Sequence, residues 1–509
     1  MKLNQIGRAI PNEIAEQYGI FEGANAKTFS YQRATPKVVA KQTDKLLPSI
    51  KDAILKTGLK DGMTISFHHH FREGDAVMNL VMDEIAALGI KNLSLASSSI
   101  ANVHEPLIAH IQNKVITNIT SSGLRDKVGE AISKGIMDNP VVIRSHGGRA
   151  RAIESGDIHI DVAFLGASSS DFCGNANGSH GKAPCGSIGY AKVDAEFADK
   201  VVIITDTLVP YPNTPISIPQ NHVDYVVVVD SIGNPKGISS GATRYTTNPK
   251  ELLIAQHATT VITNSPYFKD GFSFQAGTGG STLAVAKILG ETMKQSNIKA
   301  SFALGGITQH ICDLQKEGLV AKIIDTQSFD LGAVSSINEN ENHYEISASF
   351  YANPANKGAA VNQLDVVVLS ALEIDTKFHV NVMTGSDGLI RGASGGHCDT
   401  AAGSKLCMIL TPLLRGRIPT IVEEVNTVIT PGESIDVVVT EVGIAINPNR
   451  PDLQEAFKSI NIPQFTIEQL KEQAYAIAGR PDPIVYGDKV VAIIEYRDGS
   501  VIDVVRNKQ

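Results

Sequence analysis

The stretch Ile160-Asp161-Val-Ala-Phe-Leu-Gly-Ala-Ser-Ser169-Ser-Asp171 has a counterpart in Leu364-Asp365-Val-Val-Val-Leu-Ser-Ala-Leu-Glu373-Ile-Asp375, 204 residues further on. Each is an apolar run entered by Asp, left through a small polar turn and closed by a second Asp. An uninterrupted apolar run of this length suits a strand buried on both faces. The repeat extends outward. Val201-Val-Ile-Ile-Thr-Asp-Thr-Leu-Val209 matches Leu406-Cys-Met-Ile-Leu-Thr-Pro-Leu-Leu414 at an offset of 205, and the segments from Thr64 to Ala96 match those from Phe272 to Leu304 at 208. Matches in one order at one spacing indicate an internal duplication. Where the first copy has Ser169 the second has Glu373, so one half alone carries a carboxylate at this strand end.

Between the apolar runs lie segments with helical periodicity, at 76–88, 123–134, 283–295 and 307–317. Buried strands separated by helices predict an α/β fold: two related, open, mostly parallel halves with helices on both faces. Ligands of such folds bind at the carboxyl ends of the strands. The expected division is an N-terminal arm and helices (1–59), a first half (60–255), a second, catalytic half (256–460) and a small C-terminal α/β element (461–509). Residues 1–35 read as an extended arm, and 37–56 as one or two helices broken at Pro48. In the tail, an amphipathic helix over 465–478 precedes two strands flanking Arg497-Asp-Gly-Ser500, a hairpin signature.

Composition narrows the function. The 509 residues carry a net charge of −8 with no long basic block, which disfavours nucleic acid as a partner. No apolar run is long enough for a membrane span, and the first residues lack the apolar core of a signal peptide. Five scattered cysteines without a Cys-x-x-Cys suit a reducing cytoplasm, the expected location, and not a disulfide framework or a zinc ribbon.

Glu373 is the first candidate for chemistry. A carboxylate at the end of a buried strand is partly desolvated, which favours a raised pKa and a role as nucleophile or base; a strand-end Glu paired with a nearby Lys or Arg is the alternative. Downstream, Gly385-Ser-Asp-Gly-Leu-Ile-Arg391-Gly-Ala-Ser-Gly395-Gly396-His397-Cys-Asp399 offers backbone N–H groups at Gly395 and Gly396 for an oxyanion. Arg391, His397, Asp399, Arg415 and Arg417 are candidate readers of a polar or anionic substrate, each Arg being equally an ordinary surface charge. Gln275-Ala-Gly277-Thr-Gly279-Gly280-Ser281 ends a strand and opens a helix, a geometry able to hold a phosphate or a pantetheine arm. It has neither the Walker nor the dinucleotide spacing. His68-His69-His70 alternates faces on a strand, so at most His68 and His70 converge; the three read as structural or substrate-adjacent, and no metal site is expected. Arg144-Ser-His-Gly-Gly-Arg149-Ala-Arg151 reads as a compact basic loop, able to contact phosphate or an acidic carrier but most simply an exposed loop.

Together these features resemble the coenzyme A transferases, in the Ser370-Ala-Leu-Glu373-Ile-Asp375 signature and the Gly395-Gly396-His397-Cys398-Asp399 loop. A closer resemblance, over nearly the whole chain, is to the family of citrate lyase alpha subunits. It is carried by Ser66-Phe-His-His-His-Phe-Arg-Glu-Gly-Asp75, Gly305-Gly-Ile-Thr-Gln-His310 and residues 380–400. The resemblance implies a transferase that exchanges acetate for citrate on the thiol of an acyl carrier, and also acts on CoA esters. No cofactor would be bound to the chain itself; CoA or the carrier's phosphoribosyl-dephospho-CoA group would be the thiol substrate. The implied partners are citrate, an acetyl-thioester, the acyl-carrier (gamma) subunit and the citryl-lyase (beta) subunit, in a homo- and hetero-oligomer. It also implies two routes: a covalent glutamyl thioester at Glu373, or direct attack by the substrate carboxylate through a mixed anhydride. A generic acyl-CoA transferase or acetyl-CoA hydrolase, and a ligand-sensing scaffold, are the other readings of the same residues.

Overall fold

In the computed structural model the described residues are 1–26, 32–39, 44–239, 246–277 and 279–509. Parts of the expected arm (27–31) and of the expected first helices (40–43), and Thr278 of the glycine turn, lie outside them.

Two large sheets carry the chain. The first runs, edge to edge, through Val501–Lys508, Tyr486–Glu495, Val141–Ile143, Ile116–Ser121, Leu93–Ser97, Thr64–Phe67, Val162–Gly166, Lys200–Thr205, Tyr225–Val228 and Leu46–Leu47. Only its terminal hairpin pairs antiparallel. The second runs through His343–Glu345, Val320–Ser328, Ala300–Ile307, Phe272–Ala276, Val366–Ser370, Leu406–Leu410, Val437–Val439, Ile444–Ile446 and Gln464–Phe465. From Val141–Ile143 to Tyr225–Val228, and from His343–Glu345 to Val437–Val439, the two sheets take seven strands in the same sequence order. The duplication read from the chain is thus a duplication of topology.

The repeated aspartates have a physical reason. Asp161 accepts the Thr64 N–H at 2.8 Å, and Asp365 the Ser273 N–H at 2.9 Å. Asp224 accepts from Val201 at 2.9 Å, and Asp436 from Cys407 at 2.7 Å. Each carboxylate satisfies a backbone donor at the start of the neighbouring strand, where the ladder cannot. These bonds tie each strand to its neighbour at the entering end. Beyond the strands, Ser169–Ser170 pairs with Ala176–Asn177, and Glu373–Asp375 with Val380–Asn381, in equivalent small hairpins.

Both ends of the chain differ from expectation. Residues 1–26 are not a free arm: helix Asn12–Tyr18 packs Ile14 with Ile10 against Ile493 and Val501 of the C-terminal hairpin. Residues 46–47 form an edge strand of the first sheet, before helix Ile50–Thr57. The tail is not one separate element. Helix Ile467–Ala478, closed by a Thr466/Gln469 capping box, buries Ile467, Leu470 and Ala474 on the second sheet. The hairpin returns to the first sheet, where Glu495 meets Arg144 at 2.8 Å and Arg151 at 3.0 Å. The segment expected as an exposed basic loop is therefore buried. It becomes helix His146–Ser155, capped by Ser145, and Arg149 pairs with Asp194 at 2.7 Å. Buried arginines need such partners. No helix among the described residues is long and apolar enough to cross a membrane.

Candidate active site

A cleft of about 400 Å³ opens where the carboxyl ends of strands from both sheets face each other. The first half contributes loops after Thr64–Phe67, Leu93–Ser97, Ile116–Ser121 and Val141–Ile143, and the second half the ends of Phe272–Ala276, Ala300–Ile307, Val320–Ser328 and Val366–Ser370. Parallel strands bring many such ends to one side, which is why open α/β folds bind there.

The glycine loop is stitched across the two halves. Ser394 N–H donates to the Ser122 carbonyl at 2.8 Å, His146 N–H to the Gly395 carbonyl at 2.8 Å, and Leu124 N–H to the Gly392 carbonyl at 3.1 Å. Gly395 has φ +53°, a conformation that favours glycine. Its N–H lies a marginal 3.5 Å from the Ser122 carbonyl, and the Gly396 N–H meets no protein acceptor among the described residues. Both residues line the cleft. His397 lines it too; its Nδ1 lies 2.7 Å from Thr430 Oγ1 and its Nε2 3.1 Å from the Ser370 carbonyl. A carbonyl accepts only, so Nε2 carries the proton. Burial pushes this imidazole down to about 4, so it is neutral at pH 7.

Glu373 stands behind the cleft. Ser370 and Val382 line it, whereas Glu373 is outside the lining and 7% exposed. Its carboxylate accepts from Asn381 Nδ2 at 2.9 Å, Asn426 Nδ2 at 3.0 Å and the Asn426 N–H at 3.2 Å. Burial raises its pKa, against the pull of these donors and of Arg415. At the equivalent place Ser169 lies 3.2 Å from Asn177 Oδ1, so each half pairs this position with an asparagine eight residues on.

The other candidates divide. Gly277 lines the cleft, and the Thr282 hydroxyl closes its turn against the Gly277 and Gly279 carbonyls. Gly279, Gly280 and Ser281 sit at the start of helix Gly280–Ser296, just outside the lining. Asp399 is fully buried: it accepts from Ser145 Oγ and the Gly147 N–H, each at 2.9 Å, and lies 3.4 Å from Arg497. It clasps the halves together and does not line the cleft. Arg391 pairs with Asp387 at 2.5 Å in a half-exposed position. Arg415 donates to the Ala371 carbonyl at 2.9 Å, and Arg417 is exposed on the same small hairpin. None of these three arginines lines the cleft.

Apart from the glycines, His397 and the histidine triplet, sequence reasoning named as site residues none of the side chains that do. His69, Arg72 and Arg125 come from the first half, with His146 and Tyr190 beside them, and Gln275 and Tyr351 from the second. The histidine triplet forms an ordered stack. His68 Nε2 donates to the Gly166 carbonyl at 2.7 Å, which leaves its Nδ1 to accept from His70 Nδ1 at 2.6 Å. His70 Nε2 then accepts the Tyr190 N–H at 3.3 Å. These bonds consume His68 and His70 and fix Tyr190, against which His69 and His146 lie, ring centroids 4.9 and 4.4 Å away. The triplet thus builds a wall of the cleft.

Residues 43–508 match the family described as citrate lyase, alpha subunit (CitF). The chain belongs to this family. It is 58% identical to the citrate lyase alpha chain of Haemophilus influenzae over 91% of this chain and 92% of that one, and 54% identical to that of Escherichia coli over 95% and 94%. A crystal structure from Streptococcus mutans, described as the alpha subunit of citrate lyase in complex with citrate, is 68% identical, covers 99% of this chain and 100% of its own, and superposes with a TM-score of 0.98. The alpha subunit of a malonate decarboxylase from Acinetobacter baumannii shares the fold at a TM-score of 0.65, covering 86% and 85%; at 16% identity the likeness concerns the fold alone.

Proposed function

We propose that this chain is the transferase subunit of a citrate lyase, exchanging acetate for citrate on an acyl-carrier thioester, and that the cleft between its halves is the site of transfer. The observation that carries the reading is the union of two features in one cleft: the free Gly396 N–H and a lining of cationic and hydrogen-bonding side chains. A citrate carboxylate attacks the acetyl carbonyl. The oxyanion that forms takes the Gly396 N–H, with Gly395 beside it, in a site where such donors need no reorganisation. The C–S bond breaks, leaving an acetyl–citryl anhydride and a thiolate. The thiolate then attacks the citryl carbonyl and acetate departs, so the thioester bond is conserved and no net proton is consumed.

The thiol is CoA or the carrier's phosphoribosyl-dephospho-CoA group, and the turn at Gly277, Gly279, Gly280 and Ser281 receives its pantetheine arm. A gamma carrier subunit and a beta citryl-lyase subunit are the partners, in the cytoplasm. Glu373 acts in this reading as a positioning residue, because its carboxylate is committed to Asn381 and Asn426 and is off the cleft. Asp399 serves as a clasp between the halves.

The test is to incubate the purified chain with citrate and acetyl-CoA, follow citryl-CoA, and take an intact mass after acetyl-CoA alone. Citryl-CoA without a mass adduct is expected. Exchange with simple acids but no citryl-CoA overturns the substrate; a CoA-sized adduct on Glu373 overturns the route.

A further inference from the structure

We infer that Arg72 and Arg125 read the two citrate carboxylates that do not react, and so set the preference of this cleft for a tricarboxylate over a monocarboxylic acid. The inference rests on the citrate reading above. Both residues line the cleft, and neither forms an ion pair among the described residues. Arg72 is braced: its guanidinium lies 5.0 Å from the centre of the Phe329 ring, which comes from the second half, and Nη1 donates to the Ile238 carbonyl at 3.2 Å. A guanidinium held in place has a fork ready for a carboxylate.

The backbone is set at the same places. Arg72 has φ +52° and Asp126, next to Arg125, has φ +48°. Such angles cost about 1–2 kcal/mol in residues other than glycine, and at Arg72 the strained residue is itself a cleft-lining cation. Like charge is gathered as well: burial, and then the neighbouring Arg125, push Arg72 down to about 10. Two cations brought together, with no carboxylate at salt-bridge distance among the described residues, are poised for an anion from outside.

The acids at the cleft offset this charge only in part: Glu73 opposes the effect of Arg125 on Arg72 but is weaker than it, and Asp126 lies beside Arg125 at the exposed rim. The Glu73 carboxylate faces the Asn102 and Val103 N–H groups, at 3.4 and 3.2 Å. The imidazoles do not compete with the arginines. Burial lowers His69 well below its usual range and His146 to about 3, so both are neutral near pH 7. Acetate has one carboxylate, which occupies the reacting position. Citrate has two more, and in this wall they have charged partners.

The experiment compares two reactions that share every reacting group. Citrate transfer from acetyl-CoA needs the spectator carboxylates read; exchange of labelled acetate with acetyl-CoA does not. Arg72→Gln, Arg125→Gln and the double variant are assayed in both, and citrate binding is titrated calorimetrically. Each single change is expected to raise citrate KM and Kd by about tenfold to a hundredfold, the size of a hydrogen bond to a charged group. Acetate exchange is expected to fall less than citrate transfer, so that the ratio of the two shifts by about tenfold or more; an unchanged Tm shows that the variants fold. Citrate KM unchanged in the double variant, or citrate transfer and acetate exchange falling together, overturns the assignment. A wild type that binds no citrate and makes no citryl-CoA overturns the underlying function instead.

Discussion

Replacing Glu373 by Gln asks whether this carboxylate reacts or holds its surroundings. In the structure its two oxygens accept four contacts from three donor groups of Asn426 and Asn381, from 2.9 to 3.2 Å. Gln keeps the shape but turns one acceptor into an NH₂, which then faces a donor. A buried group left unsatisfied costs about 1–3 kcal/mol. In a chain of this length the expected result is a fall in Tm of a few degrees at most. The strand pair Glu373–Asp375 and Val380–Asn381 loosens behind Ser370 and Val382, which do line the cleft. Transfer should slow by no more than about tenfold, with citrate KM little changed. Loss of a general base or nucleophile would instead lower kcat by about 100-fold or more with stability intact. The assay is citryl-CoA formation under saturating substrates, with Tm on the same samples and Glu373→Asp as a second variant. A fall in kcat beyond 100-fold at unchanged Tm would refute the positioning role.

Three further predictions test the frame around the site. A methyl group at position 147 would come 2.0 Å from the Ala352 carbonyl and 2.7 Å from the Asp399 carboxylate; Gly147→Ala should therefore destabilise the protein by about 3 kcal/mol or more, and a wild-type Tm would show that the two halves do not pack here. Asp399→Asn leaves Arg497 without its anion; it should lower Tm by several degrees and leave citrate KM within about twofold, whereas a tenfold rise in KM at unchanged Tm would make Asp399 a substrate contact. The third concerns acid. His146 is depressed to about 3, and His379 and His397 to about 4, in each case first by burial. The unfolded chain, titrating near 6.5, takes these protons first, so stability is full above pH 6.5 and falls toward pH 4 at about 1.4 kcal/mol per unit per imidazole. Asp375, raised to about 6 by burial, has the opposite sign and, with Glu373 raised in the same way, returns part of this as the pH falls. Thermal melts from pH 7.5 to 5 should show a falling Tm; a flat profile would mean that these imidazoles are not desolvated.

The candidate site was legible only in part. Gly395, Gly396, His397 and Gly277 follow from the glycine-rich strand exits, because a backbone that must approach a ligand writes itself as glycine. Arg72 lay in a quoted motif without a role, since a lone arginine after a histidine run has no spacing that marks it. Asp399 looked like a substrate reader because a polar residue beside a glycine loop gives no sign of direction. Helix His397–Gly403 turns it inward, onto Ser145 and Gly147.

What the sequence by itself determined is what short-range physics records: alternating buried strands and helices, the strand-entering aspartates, the capped tail helix and hairpin, and a duplication visible because both halves solved the same packing problem. Tertiary structure alone decided which sheet the C-terminal hairpin joins, which arginines face the cleft and which are tied to Glu495 and Asp194, and that Glu373 stands behind the cleft lining. Those outcomes depend on register and contact between segments hundreds of residues apart. No local pattern encodes such pairings, because their energy exists only once both partners are folded.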